Sequence, residues 1–358
     1  MTIDLTELTL ALCRVPSVTG NEAAIAADVA ARLAAVAPQA TVVRHGNAVV
    51  ARGSRRHGPP LVGLFGHLDT VPTGGDDNPP RVAGGRIHGL GASDMKSGLA
   101  LMVRAFAELP LDGLPVDLVA VFYDREEGPY AENGLEPLLA ADPALREVAL
   151  GLCLECTDGR VQLGCVGSLH ARVTFVGRRA HSARPWQGLN AIHKAGPFLQ
   201  ALAARPRREV RSGGLAFYET MQATLAQGGH ARNAVPDRFA VNVNVRFAPG
   251  RTDADAEADV RALAAAAGAD EVEVLDRSPS AEAFADEALV QRLVAVSGEA
   301  PEPKQAWTDV ARLAQHGIRA VNFGPGEQAQ AHQAGESISI AQLERTWSVL
   351  RRFLTGDA

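Results

Sequence analysis

Apolar and polar positions along this chain follow a helical period and a strand period in turn. Residues 4–14 and 21–36 carry apolar side chains at helical spacing, the second run rich in Ala and opened by Thr19 to Glu22. Segments 42–44 and 48–51 read as a hairpin around His45-Gly46-Asn47. Continuous apolar runs at 61–65, 117–123 and 148–154 predict strands buried on both faces. A helix is expected over 97–109, and the stretch 73–92, dense in Gly, Pro and Asp, is expected to be a loop. Strands alternating with helices indicate an α/β sheet flanked by helices.

The pattern changes near Gly164. An alternating strand at 169–176, a helix at 190–202, strands at 219–225 and 239–247, a helix at 254–267 and a strand at 271–275 make a compact α+β unit. Ser278-Pro279-Ser280 reads as a linker, after which a helix at 287–296, a strand at 319–323 and a helix at 340–353 resume the first pattern. The expected organisation is a larger domain of residues 1–165 and 279–358 with residues 166–278 inserted.

Length and composition agree with two domains of a globular protein: 358 residues, 46% hydrophobic and 21% charged. A net charge of −6 argues against a nucleic-acid partner. The basic cluster Arg205-Pro206-Arg207-Arg208 is read as solvated surface. The first twenty residues carry Asp4 and Glu7 and no basic leader, and no apolar run approaches a membrane span, so a cytoplasmic protein without a membrane partner is expected. Cys153-x-x-Cys156 has no second pair to complete a zinc knuckle, so Cys13, Cys153, Cys156 and Cys165 are expected to be buried thiols.

The chemistry lies at the ends of the apolar runs. His67 and Asp69 follow the first; being two apart in extended chain, they point to one side, so Asp69 is expected to accept a hydrogen bond from the His67 ring. Asp94 follows a Gly-rich lead-in and would otherwise pass for a helix cap. Glu126 and Glu127 lie past the second run, where a buried pair needs nearby positive charge; a solvated loop is the ordinary alternative. Glu155 ends the third run, and His332 sits in a polar loop before the last helix. In the insert, His181 lies in Arg179-Ala180-His181-Ser182, and Asn233 precedes the alternating strand Val241-Asn242-Val243-Asn244-Val245-Arg246.

The order His-x-Asp, Asp, Glu-Glu, Glu, His resembles that of the dinuclear zinc deacylases and exopeptidases, which include succinyl-diaminopimelate desuccinylase, acetylornithine deacetylase, aminoacylase and carboxypeptidase G-type enzymes. The resemblance spans the whole chain. It implies a zinc-exopeptidase-like catalytic domain with a central mixed sheet, plus an inserted dimerisation or lid domain. It further implies two divalent ions, zinc first and cobalt or manganese as alternatives. His67, Asp94 and Glu155 would hold one ion and Asp94, Glu127 and His332 the other, with Glu126 as general base and Asp69 orienting His67. His181 would reach the oxyanion from the partner of a homodimer, and Asn233 and Arg246 would contact the substrate carboxylate.

Ser93-Asp94-Met95-Lys96-Ser97-Gly98 and residues 179–193 resemble the actinobacterial succinyl-diaminopimelate desuccinylases. The implied reaction releases succinate and L,L-diaminopimelate from the N-succinyl compound. The alternatives are an acetylornithine deacetylase or another N-acyl-amino-acid hydrolase, and then a non-catalytic metal- or peptide-binding member. Two departures stand out: Cys165-Val166-Gly167 replaces an Arg-Arg-Gly common in desuccinylases, and Cys156 replaces a Pro that commonly follows the metal-binding Glu.

Overall fold

A computed structural model describes residues 2–56, 58–72, 74 and 78–357. Thr73 and residues 75–77 of the expected loop lie outside the described residues. The chain forms two compact units. The first comprises residues up to Gly164, Phe284–Glu302 and the residues from Thr308 onward; the second comprises Cys165–Ala283 and the short return Pro303–Trp307.

The first unit is built on an eight-stranded mixed sheet. Its centre is parallel: Asp117–Tyr123, Leu61–His67, Val148–Cys153 and Ala320–Asn322 lie side by side in that order. Every residue of Leu61–His67 and Asp117–Tyr123 is buried, as continuous Val, Leu and Phe runs require when helices cover both faces. The helix Ser97–Glu108 is buried from Ser97 to Phe106. The register matters most for the site. His67 pairs with Tyr123 and Phe65 with Cys153, so the chain leaves three neighbouring parallel strands at one edge of the sheet.

Several local expectations are corrected. Glu22 is the N-cap of Ala23–Val36, but its side chain makes no cap bond to the helix; its Oε1 accepts from Gly20 N at 2.6 Å, while Thr19 donates its hydroxyl to Asp69 at 3.0 Å. The stretch 73–92 is not all loop. Arg81–Ala83 and Arg86–His88 form a hairpin, joined by Ser337–Ser339, and Gly84 and Gly85 turn it at positive φ. The helix expected over 190–202 breaks into Ala191–Lys194, capped by Asn190, and Gly196–Ala204, which opens on a proline. Helices Leu135–Ala141 and Val310–Gln315 and the strand Arg208–Ser212, beginning in the basic cluster, lie outside the expected set. All four cysteines are buried, and none forms a disulfide.

The second unit is an antiparallel five-stranded sheet with helices on one face. Along Arg238–Phe247 burial alternates: Val241, Val243, Val245 and Phe247 enter the core, and Asn242, Asn244 and Arg246 take the other face. The strand expected at 219–225 runs longer, over Leu215–Gly228. Its neighbour Arg208–Ser212 covers only residues 215–219. Beyond that, residues 220–228 pair with one strand alone among the described residues, and Leu225 there is 66% exposed.

Candidate metal centre

Three strand ends, one tight turn and one loop bring together the polar residues that the sequence scatters. His67 is the last residue of its strand and is 1% exposed. Glu126 and Glu127 follow the next strand past Arg125, whose positive φ of 58° turns the chain sharply. Glu155 stands two residues past Val148–Cys153 and is buried. Asp94 sits in the turn Ala92–Lys96, entered through Gly91 at φ 79° and continued by a cis bond to Met95. Close packing holds the turn against its neighbours. A Cβ on Gly98 would meet Leu154 O at 2.4 Å, and one on Gly324 would meet Glu155 O at 2.2 Å. His332 completes the set from an exposed loop, itself at positive φ.

Asp94 stands between two histidines. Its Oδ1 lies 3.2 Å from His67 Nε2, and its Oδ2 lies 3.5 Å from His332 Nε2. Glu155 Oε1 approaches His67 Nε2 at 4.0 Å, and Glu127 Oε1 approaches His332 Nε2 at 2.9 Å. The donor atoms of His67, Asp94 and Glu155 fall within 4.8 Å of one another, as do those of Asp94, Glu127 and His332, and those of His67, Glu126 and Glu127. The donor set suits metal: four carboxylates and two imidazoles are N and O ligands for borderline or hard divalent ions. Four clustered carboxylates also repel unless cations neutralise them. Asp94, with one oxygen toward each histidine, has the geometry of a bridge.

Asp69 faces the His67 ring with both its backbone oxygen and its carboxylate. The nearest acceptor for His67 Nδ1 is the Asp69 backbone oxygen at 3.0 Å, with the carboxylate Oδ1 at 3.5 Å. The carboxylate also accepts from Glu126 N and Glu127 N, both at 3.0 Å, and from the Thr19 hydroxyl. One fully buried side chain therefore fixes both His67 and the turn that carries the adjacent glutamates.

The field is strongly coupled. Burial opposes charge on His67, but hydrogen bonds to Asp69 and Asp94 outweigh it and hold the imidazole well above its usual range. Hydrogen bonds to Asp94 and Glu127 raise His332 to about 10. Burial pushes the Glu126 carboxyl well above its usual range; the His67 charge opposes this and the Glu155 and Glu127 carboxylates reinforce it. Burial likewise disfavours a charged Asp94, yet hydrogen bonds from His332 and His67 hold it below the usual carboxylate range.

The remaining predicted residues belong to the second unit. His181 is exposed at the end of a two-strand pairing with Ala234, its Nδ1 accepting from Ala183 N at 3.1 Å. Asn233 accepts from Ser182 N through its backbone oxygen at 2.9 Å, which ties it to the His181 turn. Arg246 donates from Nε to Asn244 at 3.2 Å, on the polar sheet face. Sequence reasoning missed Glu336, a buried carboxylate that accepts from Gly91 N, Ser93 N and Asp94 N. Its only signal in the chain is a glutamate four residues after His332.

Comparison with known proteins gives a consistent result. The model of peptidase family M20/M25/M40 matches residues 63–356. A Mycobacterium tuberculosis protein provisionally named succinyl-diaminopimelate desuccinylase is 39% identical over 99% of this chain and 98% of its own. The Corynebacterium glutamicum succinyl-diaminopimelate desuccinylase is 36% identical over 97% and 95%. The Myxococcus xanthus acetylornithine deacetylase is 28% identical over 86% and 82%. Among solved structures, an M20 family metallo-carboxypeptidase from Sulfolobus solfataricus superposes with a TM-score of 0.80 over 99% of both chains at 16% identity. A dinuclear metal-binding M20 peptidase from Bacillus subtilis gives 0.70 over 98% and 96% at 15% identity. These structures share the fold.

Proposed function

The chain belongs to peptidase family M20/M25/M40, and from that premise we propose that this hydrolase is a two-metal amidase that cleaves N-succinyl-L,L-diaminopimelate to succinate and L,L-diaminopimelate. The observation that carries the chemistry is the placement of Asp94, one oxygen toward His67 and the other toward His332. His67, Asp94 and Glu155 would hold one ion, and Asp94, Glu127 and His332 the other, zinc being the first candidate. Two divalent ions held there would supply Lewis-acid chemistry, polarising a scissile carbonyl and lowering the pKa of an attacking water.

Glu126 takes the proton from the attacking water and delivers it to the leaving amine, which completes amide cleavage with no other reagent. Burial raises its carboxyl pKa above the usual range, the direction that a group which must release as well as accept a proton requires. Asp69 keeps Glu126 aimed through the backbone of residues 126 and 127. His181 donates to the oxyanion as charge develops there, and Arg246 and Asn233 hold the substrate's carboxylate end. The unpaired edge at 220–228 and exposed Leu225 support pairing of the inserted units of two copies, which would let His181 act on the partner's substrate. Absence of any helix long and apolar enough to cross a membrane, among the described residues, is compatible with cytoplasmic work on a small metabolite.

The substrate choice rests on the desuccinylase-named relatives at 36–39% identity. The second reading, acetylornithine deacetylase, is favoured by one relative at 28% identity. Parallel assays of the zinc-loaded enzyme on N-succinyl-L,L-diaminopimelate and N-acetylornithine separate them. A higher kcat/KM on the succinyl compound is expected; a higher value on the acetyl compound rejects the choice.

A further inference from the structure

Three backbone N–H groups around Asp94 converge on a single carboxylate. Glu336 is 2% exposed, and its Oε1 accepts from Ser93 N at 2.7 Å and Asp94 N at 2.8 Å, while Oε2 accepts from Gly91 N at 2.7 Å. Its own backbone oxygen accepts from Gly89 N at 3.1 Å and from the Asn78 amide at 2.8 Å. The same turn is gripped from two further sides. Ser93 Oγ accepts from Glu327 N at 2.6 Å and donates to Glu327 O at 3.1 Å. Cys156, next to Glu155, donates its thiol to Ser93 O at 3.2 Å.

The turn needs such a grip. Gly91 lies in the left-handed region, and Asp94 and Met95 depart from helical dihedrals inside the turn, so the local backbone offers no regular ladder for these N–H groups. A buried carboxylate is costly unless hydrogen-bonded, and here every donor it uses belongs to residues 91–94. Glu336 also shares its loop with His332, four residues earlier. A displacement of that loop would move a terminal ligand of one ion and the support of the bridging ligand together.

We propose that Glu336 is the positioning residue of the metal centre, its carboxylate clamping residues 91–94 so that Asp94 presents one oxygen to each histidine. This inference rests on the two-metal reading above. Glu336→Gln keeps the size but turns an NH2 group toward N–H donors, which removes part of the clamp without opening a cavity. Glu336→Asp keeps the charge but falls short by one methylene.

The experiment compares the wild-type chain with both variants in two measurements. In the first, metal-free proteins are titrated with Co2+ and followed by calorimetry and by the visible Co2+ spectrum, with kcat and KM determined at saturating metal. In the second, hydrogen exchange of the segment 89–97 is measured in the metal-free proteins. Glu336→Gln is expected to weaken binding of at least one ion about 10–100-fold, to alter the Co2+ spectrum, to lower kcat more than it changes KM, and to speed exchange of 89–97. Glu336→Asp is expected to lie between it and wild type. It carries the comparison if Glu336→Gln does not fold. Unchanged affinity, spectrum and exchange in the folded variants overturn the proposal. Wild-type chains that bind fewer than two ions reject the two-metal reading instead; the exchange measurement then judges the clamp alone, and unaltered exchange overturns it.

Discussion

Glu126 and Glu127 share one turn but face different tasks. Glu127 Oε1 lies 2.9 Å from His332, whereas Glu126 has its carboxyl raised by burial. If Glu126 is the base and Glu127 a ligand, Glu126→Gln should retain both ions and lower kcat about 10²–10⁴-fold. Metal analysis beside steady-state kinetics checks this, and unchanged turnover rejects Glu126 as base. Protonation offers an independent check. A group whose pKa is raised holds its proton up to the raised value, so in the metal-free chain at pH 7.5 His332, at about 10, is protonated, and the hydrogen bonds around His67 favour its protonated form in the same direction. Metal binding should therefore expel protons and weaken as pH falls. Calorimetry in buffers of different ionisation enthalpy measures the release. Of the proposed site residues, His67, Glu126, Glu127 and Glu155 were legible because they follow apolar runs, where a carboxylate or imidazole is hard to explain as surface; Asp94 in its Gly-rich turn and His332 in its polar loop stood out only through the order of the whole set. Glu336 was not legible, because its partners are backbone N–H groups, which carry no residue identity.

At the level of elements, the site depends on parallel strands ending in register and on a helix that starts without clearance. Gly98 opens the helix Ser97–Glu108 directly against Leu154, next to Glu155. Gly98→Ala should cost about 1–3 kcal/mol by overpacking and lower metal affinity as well, read as a fall in Tm of both the metal-free and the loaded protein. At the far end of the same strands, Asp117 accepts from Arg55 at 2.8 Å and from Arg56 N and Nε at 2.8 Å. Burial disfavours its charge, but these bonds prevail and lower its pKa. A lowered pKa stabilises the fold above the ordinary carboxylate value, near 3.9, and that stability is lost as pH falls through the folded-state value. Wild type should exceed Asp117→Asn in unfolding free energy at pH 6, with the gap closing under acid conditions; a constant gap refutes the account. The strand Asp117–Tyr123 coincides with its prediction because period and burial agree. The hairpin at 81–88 and the break near Gly196 did not show, since glycine and proline mark both turns and loops, and tertiary pairing decides between them.

At the scale of the molecule, the chain divides into two compact units, the second starting at Cys165, beside the change of period at Gly164. The return of Pro303–Trp307 to the second unit was not visible, because it rests on contacts such as Tyr218 N to Gln305 at 3.0 Å and Trp307 to Pro279 O at 3.1 Å, not on any pattern. The proposed homodimer makes a whole-molecule prediction. Light scattering should give twice the 37.6 kDa chain mass, and Leu225→Lys should shift the protein toward monomer with loss of turnover. A fully active monomer would remove the partner role of His181. Everything proposed for the chemistry depends on two histidines and three carboxylates holding two ions, with Asp94 shared between them. The most direct test is the number of zinc ions bound per chain at saturation, by equilibrium dialysis and elemental analysis. Two ions per chain are expected; a saturated value of one or none rules out the two-ion site.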